Sequence, residues 1–177
     1  MTSDADRRVM IQLARDAIDA HVRGVDEPPI PAEGPLGEPG AAFVTLHSQG
    51  TLRGCIGHIR ADEPLGMVIA RCAVAACSTD PRFPPVTESE LPRLALEISL
   101  LGPLESIAGP GDVEIGRHGL MVEQGWRRGL LLPQVALEWH WDAGAFLART
   151  CEKAGLPPDA WRRGAQLWRF EAEIFSE

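Results

Sequence analysis

LRGCIG, residues 52–57, is a short run in which a cysteine lies between two glycines. Glycine removes side-chain bulk, so Gly54 and Gly57 allow another molecule or another backbone segment to approach Cys55 closely. If the run is a β-strand, Arg53 and Cys55 point to the same face. A guanidinium near a thiol favours the thiolate, which is the nucleophilic form. The run therefore predicts a binding or reaction site with Cys55 as the reactive group and Arg53 beside it.

The hydrophobic pattern on either side of this run predicts an α+β fold. Residues 42–47 and 52–59 alternate as the two strands of a hairpin, and residues 118–123 and 127–132 as those of a second hairpin. Further strands are predicted at 94–101 and 166–175, and helices from Ser3 to Gly24, Pro64 to about Ser78, Pro133 to about Trp139 and Asp142 to Gly155. Hairpins interleaved with helices favour a mostly antiparallel sheet flanked by helices.

Turn and capping signals divide these elements. A loop rich in proline and glycine, residues 25–40, connects the first helix to the first hairpin. Thr87 and Glu90 are spaced as a capping box for a helical turn that ends before Pro92. Residues 102–111 are predicted to form a flexible loop.

The composition bounds the class of protein. A chain of 177 residues is long enough for one compact domain with two lobes. Its formal net charge of −8 argues against a nucleic-acid binder, which needs a basic surface. No apolar run is long enough to span a bilayer, and the acidic N-terminus lacks the features of a signal peptide, so a cytoplasmic protein is expected.

Five motifs, in order along the chain, resemble those of one known family. They are LRGCIG at 52–57, DPRFPP at 80–85, HGL at 118–120, LPQVA at 132–136 and KAGLP at 153–157. On these motifs the chain is identified as a member of the AMMECR domain family, whose prokaryotic members are called AmmeMemoRadiSam system protein A. The resemblance implies a single AMMECR-type domain over residues 1–177, with a larger and a smaller lobe. It also implies a cleft between the lobes, into which the LRGCIG face opens.

The resemblance further implies a working context. Prokaryotic members are commonly grouped with a Memo-like protein and a radical S-adenosylmethionine protein, which suggests one step of a shared modification pathway. This chain has no CxxxCxxC motif, so iron–sulfur or radical chemistry belongs to a partner in this interpretation. Cys55, His58 and Asp62 are spaced like metal ligands, but in an extended strand their side chains diverge. We therefore expect no metal site and no resident cofactor.

Each candidate residue near Cys55 has two interpretations. Cys55 is either a nucleophile or covalent carrier, or a small packed residue. Arg53 either holds an anionic group and favours the thiolate, or pairs with a structural carboxylate such as Glu97 or Asp80. Glu97 points away from the apolar face of its strand, where it serves either as an acid or base beside Cys55 or as a solvated side chain.

The remaining candidates lie farther along the chain. His118 matches the family pattern, so it is the candidate general base for Cys55, and the alternative is a hydrogen-bonded structural histidine. Asp80, Arg82 and Phe83 form either a rim that recognises a ligand or a set of structural anchors. In the second interpretation Asp80 caps a turn, Arg82 pairs with an acid and Phe83 fills the core. The sequence thus leaves two functions open, a thiol-dependent enzyme and a non-catalytic adaptor that binds a protein partner.

Overall fold

The computed structural model describes residues 2–177, which form an α+β fold with an antiparallel sheet. Four α-helices are present: α1 (Asp4–Arg23), α2 (Leu65–Ser78), α3 (Pro133–Glu138) and α4 (Ala143–Lys153). The strands are β1 (Ala41–Ser48), β2 (Thr51–His58), β3 (Leu94–Leu101), β4 (Glu105–Ser106), β5 (His118–Gln124), β6 (Arg127–Leu131) and β7 (Gln166–Ser176). Short 3-10 helices occupy Gly34–Leu36, Glu88–Arg93, Pro110–Asp112 and Ala160–Arg162. The predicted fold class is confirmed.

The chain divides into two compact units. Unit 1 comprises the residues up to Leu101 together with Glu173–Glu177, and unit 2 comprises Gly102–Ala172. Unit 1 therefore contains α1, α2 and strands β1 to β3, whereas unit 2 contains β4 to β6, α3, α4 and most of β7. Each unit has its own cluster of buried apolar side chains.

Local signals set the ends of the elements in unit 1. The Ser3 side chain accepts a hydrogen bond from the N–H of Asp6 and so caps α1, which ends at Gly24 in a left-handed conformation. The hairpin of β1 and β2 turns through Gln49 and Gly50, both with positive φ, as a tight two-residue turn requires. The loop of residues 25–40 connects α1 to β1 as predicted and contains one 3-10 turn.

The sheet of unit 1 has strand order β2-β1-β3, so its two faces can be assigned from the register. Val44 pairs with Ile56 and with Ile98, and this apolar face packs against helices α1 and α2. Thr45 pairs with Cys55 on one side and with Glu97 on the other. Because paired residues point the same way, Thr45, Cys55 and Glu97 share the opposite face.

In unit 2 the neighbouring strands are β7, β5 and β6, with β4 paired to β7. Helix α4, capped by the Asp142 side chain, packs on β5 and β6 and buries Phe146 and Leu147. One prediction for unit 2 and one for unit 1 were wrong. Residues 102–111, predicted as a flexible loop, contain strand β4. The capped turn, predicted to end before Pro92, continues to Arg93, because proline lacks only its own N–H and the N–H of Leu94 closes the last turn on the carbonyl oxygen of Leu91.

Candidate functional site

Cys55 lies at the centre of the edge strand β2 and is half-buried. The hydroxyl of Thr45, its cross-strand neighbour, donates a hydrogen bond to Cys55 Sγ over 3.3 Å. Glu97 occupies the next position across the sheet on the same face and is also half-buried. The structure thus brings Cys55 and Glu97 to one face with Thr45 between them.

The main chain of Cys55 is held by the DPRFPP segment, residues 80–85. The N–H of Cys55 donates to Asp80 Oδ2 at 2.9 Å, and its carbonyl oxygen accepts from Arg82 Nη2 at 3.3 Å. Arg82 Nη2 also lies 2.7 Å from Asp80 Oδ2. The ion pair therefore satisfies both main-chain groups that the edge strand leaves unpaired at this residue.

The charges of this pair are strongly coupled. The hydrogen bond from Arg82 holds the pKa of the Asp80 carboxyl well below its usual range, and the N–H groups of Cys55 and Arg82 act in the same direction. The Asp80 side chain is only 2% exposed, whereas that of Arg82 is 49% exposed. Asp80 is thus a buried, ionised anchor whose cation faces solvent beside Cys55.

Phe83 differs from its predicted structural role. Its ring is half-buried and lies outside the core of unit 1, and the Arg82 guanidinium carbon is 5.4 Å from the ring centre. The expectation that Phe83 fills the core was wrong, because the ring stacks on the arginine at the surface instead.

Arg53 forms an ion pair, but with neither of the predicted partners. Its Nε lies 2.9 Å from Glu90 Oε1, and its Nη1 donates to the carbonyl oxygen of Pro84 at 2.9 Å. Arg53 lowers the pKa of Glu90 to about 2, together with hydrogen bonds from Thr87. The pairing with Glu97 or Asp80 was wrong because the strand register shifts between Leu46 and His47, and a bulge of this kind re-aims a side chain.

The two glycines of LRGCIG are required by neighbours within unit 1. A Cβ on Gly54 would lie 2.1 Å from the carbonyl oxygen of Ala76 in α2. A Cβ on Gly57 would lie 2.3 Å from the ring of Phe43. Both glycines were predicted to bind a ligand. The space beside Gly54 is instead occupied by the main chain of α2, and the space beside Gly57 by the Phe43 ring, so the groups that approach these glycines belong to the protein itself.

The other three cysteines are buried. Burial raises the pKa of Cys72 and of Cys77 to about 11 and also raises the pKa of Cys151. Among the four, Cys55 alone is half-buried rather than buried.

His118 begins strand β5 in unit 2 and is 6% exposed. Its Nδ1 accepts a hydrogen bond from the N–H of Glu114 at 2.9 Å. Burial lowers the pKa of His118, with the nearby Arg169 and Arg117 acting in the same direction. These contacts correspond to the hydrogen-bonded interpretation, and a proton-transfer role of His118 toward Cys55 stays a prediction.

His58, which the sequence places beyond Cys55, belongs to a charged cluster. Its Nε2 lies 2.8 Å from Asp62 Oδ1 and 3.7 Å from Glu63 Oε1, so the expected divergence of His58 and Asp62 was wrong. Asp62 lies outside the strand and can turn back toward the ring. Arg71 binds both carboxylate oxygens of Glu63, at 2.6 and 3.0 Å, which makes the cluster an ion-pair network.

An apolar cavity of about 420 Å³ lies elsewhere in unit 1, between α1, α2 and the loop that follows α1. Ala17, Ile30, Met67 and Val74 contribute to its walls. None of the residues predicted from the sequence lines it. No helix in the described part of the chain is both long and apolar enough to cross a membrane.

Comparison with known proteins assigns the chain to a family. The model of the AMMECR1 family matches residues 11–175, which include both LRGCIG and DPRFPP. The chain belongs to the AMMECR1 family. A protein of Methanothermobacter thermautotrophicus is 44% identical over 96% of this chain and 93% of its own length. A protein of Thermococcus onnurineus is 46% identical over 95% of this chain and 88% of its own length.

A solved structure is also similar to this AMMECR1-family chain. The crystal structure of an uncharacterized protein from Pyrococcus horikoshii matches with a TM-score of 0.89 and 42% identity. The match covers 96% of this chain and 90% of the other.

The contacts explain why the two motifs occur together in this AMMECR1-family chain. LRGCIG supplies the main chain that Asp80 and Arg82 bind, and DPRFPP supplies the carbonyl that Arg53 binds. Sequence reasoning assigned Cys55, Arg53, Asp80 and Arg82 to one site but missed Thr45 and Glu90. Thr45 could be assigned to the site only from the strand register, which pairs it with Cys55. Glu90 was predicted from the sequence as part of a capping box, but its ion pair with Arg53 was not predicted.

Proposed function

We propose that this AMMECR1-family protein acts through Cys55 as a nucleophile or covalent carrier in a modification pathway with Memo-like and radical S-adenosylmethionine proteins. The observation that carries the proposal is the hydrogen bond that Thr45 donates to Cys55 Sγ. A hydrogen bond donated to sulfur stabilises the thiolate relative to the thiol. The partner proteins enter through family membership alone.

Arg82 takes the role that the sequence assigned to Arg53. The guanidinium of Arg82 binds the carbonyl oxygen of Cys55 and is half-exposed, whereas Arg53 binds Glu90. A positive charge beside the sulfur favours the thiolate and attracts an anionic substrate group.

The covalent step uses the sulfur and a carboxylate. Cys55 Sγ forms a bond to an electrophilic carbon of the substrate, such as that of an activated ester, and the leaving group departs with its bonding electrons. The proton of the thiol passes to a base on the same face, for which Glu97 is the candidate.

Alkylation rates test the proposal directly. The native protein is treated with iodoacetamide at pH 7, and each cysteine is quantified by mass spectrometry over time. Cys55 is expected to react at least about 10-fold faster than Cys72 and Cys77, because the raised pKa values of those thiols leave little thiolate. Reaction of Cys55 as slow as that of Cys72 contradicts the proposal.

Two matched variants isolate the hydroxyl of Thr45. Thr45→Val removes the donor to Cys55 Sγ with little change in volume and is expected to slow the alkylation of Cys55. Ser99→Ala removes a buried hydroxyl from the same face, without a hydrogen bond to Cys55, and serves as the control. Equal rates in both variants remove Thr45 from the site.

A non-catalytic adaptor is the second candidate, favoured by two exposed aromatic side chains in unit 2. Trp126 is 87% exposed and Trp139 is 66% exposed, and large exposed aromatic residues are typical anchors of protein interfaces. An adaptor keeps its affinity for a Memo-like partner in Cys55→Ser and loses it in Trp126→Ala. A catalytic carrier loses its modification activity in Cys55→Ser and keeps it in Trp126→Ala.

A further inference from the structure

Aromatic and basic side chains come together where three segments of unit 2 meet. The hairpin of β5 and β6 supplies Trp126 and Arg127 at its turn, and the last turn of α4 supplies Lys153. The 3-10 helix Ala160–Arg162 supplies Trp161 and Arg162. We call these five residues the Trp–Arg patch. All of them are exposed except Trp161, which is half-buried against the core of unit 2.

Two hydrogen bonds join the three segments. Arg127 Nη1 donates to the carbonyl oxygen of Gly155, just beyond α4, at 2.6 Å. Gln124 Nε2 donates to the carbonyl oxygen of Arg163, just beyond the 3-10 helix, at 3.5 Å. The hairpin turn therefore lies beside both other segments, which makes the Trp–Arg patch continuous although its residues are distant in the sequence.

Each arginine of the patch lies over the indole ring of its neighbour in sequence. The guanidinium carbon of Arg127 is 5.1 Å from the ring centre of Trp126, and that of Arg162 is 4.5 Å from the ring centre of Trp161. Such a pair presents a cation and a large apolar surface side by side. Trp126 is almost fully exposed, and tryptophan and arginine are enriched among the residues that dominate binding at protein interfaces.

The cations of the Trp–Arg patch are not neutralised by acidic side chains. The acidic residues nearest to them in the sequence are paired with other arginines: Glu123 with Arg128, Glu152 with Arg149 and Asp159 with Arg163. Within residues 2–177, Arg127, Lys153 and Arg162 form no ion pair. A local excess of positive charge thus lies on a chain whose formal net charge is −8, and it attracts an anionic partner.

We propose that the Trp–Arg patch docks a short acidic segment of a partner protein. An apolar side chain of the segment packs against Trp126, and its carboxylates contact Arg127 and Arg162. This inference rests on the adaptor candidate of the proposed function and names the chemistry of its partner. The site lies wholly in unit 2 and does not involve Cys55.

The net charge favours a short acidic segment over a single-stranded nucleic acid. A nucleic acid also combines anionic groups with flat rings that stack on tryptophan. Its phosphates continue along the strand, however, and meet the acidic remainder of the molecule, whereas the charges of a short segment are confined to the patch.

NMR of the tryptophan indole N–H groups tests the inference in the full-length protein. The probe peptide acetyl-GDDFEEG-amide is expected to shift the Trp126 signal in a saturable manner. The matched peptide acetyl-GNNFQQG-amide keeps the phenylalanine without the carboxylates and is expected to bind at least about 5-fold more weakly. Added salt is expected to weaken the binding of the acidic peptide, because the charges lie at the surface.

Charge variants separate the two arginines of the patch from arginines in general. The double variant Arg127→Gln with Arg162→Gln is expected to weaken binding of the acidic peptide at least about 3-fold. Arg93→Gln, at an exposed arginine of unit 1 that forms no ion pair within residues 2–177, is the control and is expected to leave the affinity unchanged.

Tryptophan variants test the apolar contact, with the Trp161 signal as the readout. Trp126→Ala is expected to weaken binding of the acidic peptide at least about 5-fold. Trp139→Ala removes another exposed indole, outside the Trp–Arg patch, and is expected to leave the affinity unchanged. Equal effects of the two variants contradict docking at the patch.

The inference is overturned if no saturable shift occurs, if the two peptides bind equally, or if single-stranded oligouridine binds more tightly than the acidic peptide. Its failure is distinguishable from that of the adaptor candidate. A Memo-like partner that loses affinity in Trp126→Ala supports the adaptor candidate, even where the acidic peptide does not bind and the chemistry named here is wrong.

Discussion

Gly54 and Gly57 show how one motif serves two packing contacts at the scale of single residues. Gly54 lets the backbone of α2 approach β2, and Gly57 lets the Phe43 ring lie on the strand. The neighbour of Gly54 is a main-chain carbonyl, which cannot move without the helix. The neighbour of Gly57 is a side chain, which can rotate.

This difference predicts unequal costs for two alanine substitutions. Gly57→Ala is expected to lower the free energy of unfolding by about 1–3 kcal/mol, the usual cost of overpacking, and Gly54→Ala is expected to cost more. Gly109→Ala, at an extended residue with open space around it, is the control and is expected to change the value by less than about 0.5 kcal/mol. Urea unfolding measures all three, and equal costs for Gly54 and Gly57 contradict the argument.

Asp80 predicts how stability depends on acid. Its pKa is lowered in the folded protein, so the unfolded chain binds a proton more readily, and Asp80 stabilises the fold above the ordinary aspartate pKa of about 3.9. This contribution is lost as the pH falls through that value toward the pKa of the folded state. Asp80→Asn is expected to be less stable than the wild type at pH 7 and to lose less stability between pH 4 and pH 2.

Urea unfolding at a series of pH values measures this dependence. Asp26→Asn, an exposed residue in the loop after α1, is the control and is expected to follow the wild type. If the free energy of unfolding falls equally with pH in Asp80→Asn and in the wild type, a group other than Asp80 is responsible for the acid sensitivity.

At the scale of elements, the capped 3-10 turn Glu88–Arg93 is joined to β2 by one ion pair. Glu90 accepts hydrogen bonds from the N–H of Thr87 and from Arg53, so the same carboxylate caps the turn and holds the strand. Arg53 therefore has a structural role in the ion pair with Glu90, and Arg82 is the cation that contacts Cys55.

Exchanging each arginine for methionine separates these roles. Arg53→Met is expected to destabilise the protein by about 1 kcal/mol through loss of a partly buried ion pair, with the alkylation rate of Cys55 unchanged. Arg82→Met is expected to slow that alkylation. The measurement is mass spectrometry of the alkylated protein, and a slower reaction of Cys55 in Arg53→Met restores the original assignment of Arg53.

The sequence predicted the elements whose signals are local. The cap at Ser3, the stop at Gly24 and the capping box at Thr87 involve residues within a few positions of one another, and all three are confirmed. The partner of Arg53 was not predictable in this way, because Glu90 is 37 residues distant and a bulge sets the direction of the side chain. The groups beside Gly54 and Gly57, the Ala76 carbonyl and the Phe43 ring, are likewise distant in the sequence and could be identified only from the folded structure.

At the scale of the whole molecule, each unit is stabilised by its own apolar core. Leu96 belongs to the buried cluster of unit 1, and Leu147 belongs to that of unit 2. Separate cores make each unit sensitive mainly to substitutions within it.

Two matched leucine substitutions test this separation. Leu96→Ala and Leu147→Ala are each expected to lower the free energy of unfolding by about 2–5 kcal/mol. Hydrogen exchange is expected to quicken most in α1 and α2 for the first variant, and in β5 and α4 for the second. A uniform increase across the chain in either variant contradicts the independence of the cores.

The ion pair of Asp80 and Arg82 also limits the directions from which another molecule can approach Cys55. An unprotected edge strand offers its main chain as a template, to which an incoming peptide adds as a further strand. At Cys55 that template is already occupied, because both main-chain groups are bound by side chains of the same molecule. Strand addition is therefore blocked at Cys55, and in the proposed function a substrate reaches the sulfur across the face of the sheet that Thr45 and Glu97 share.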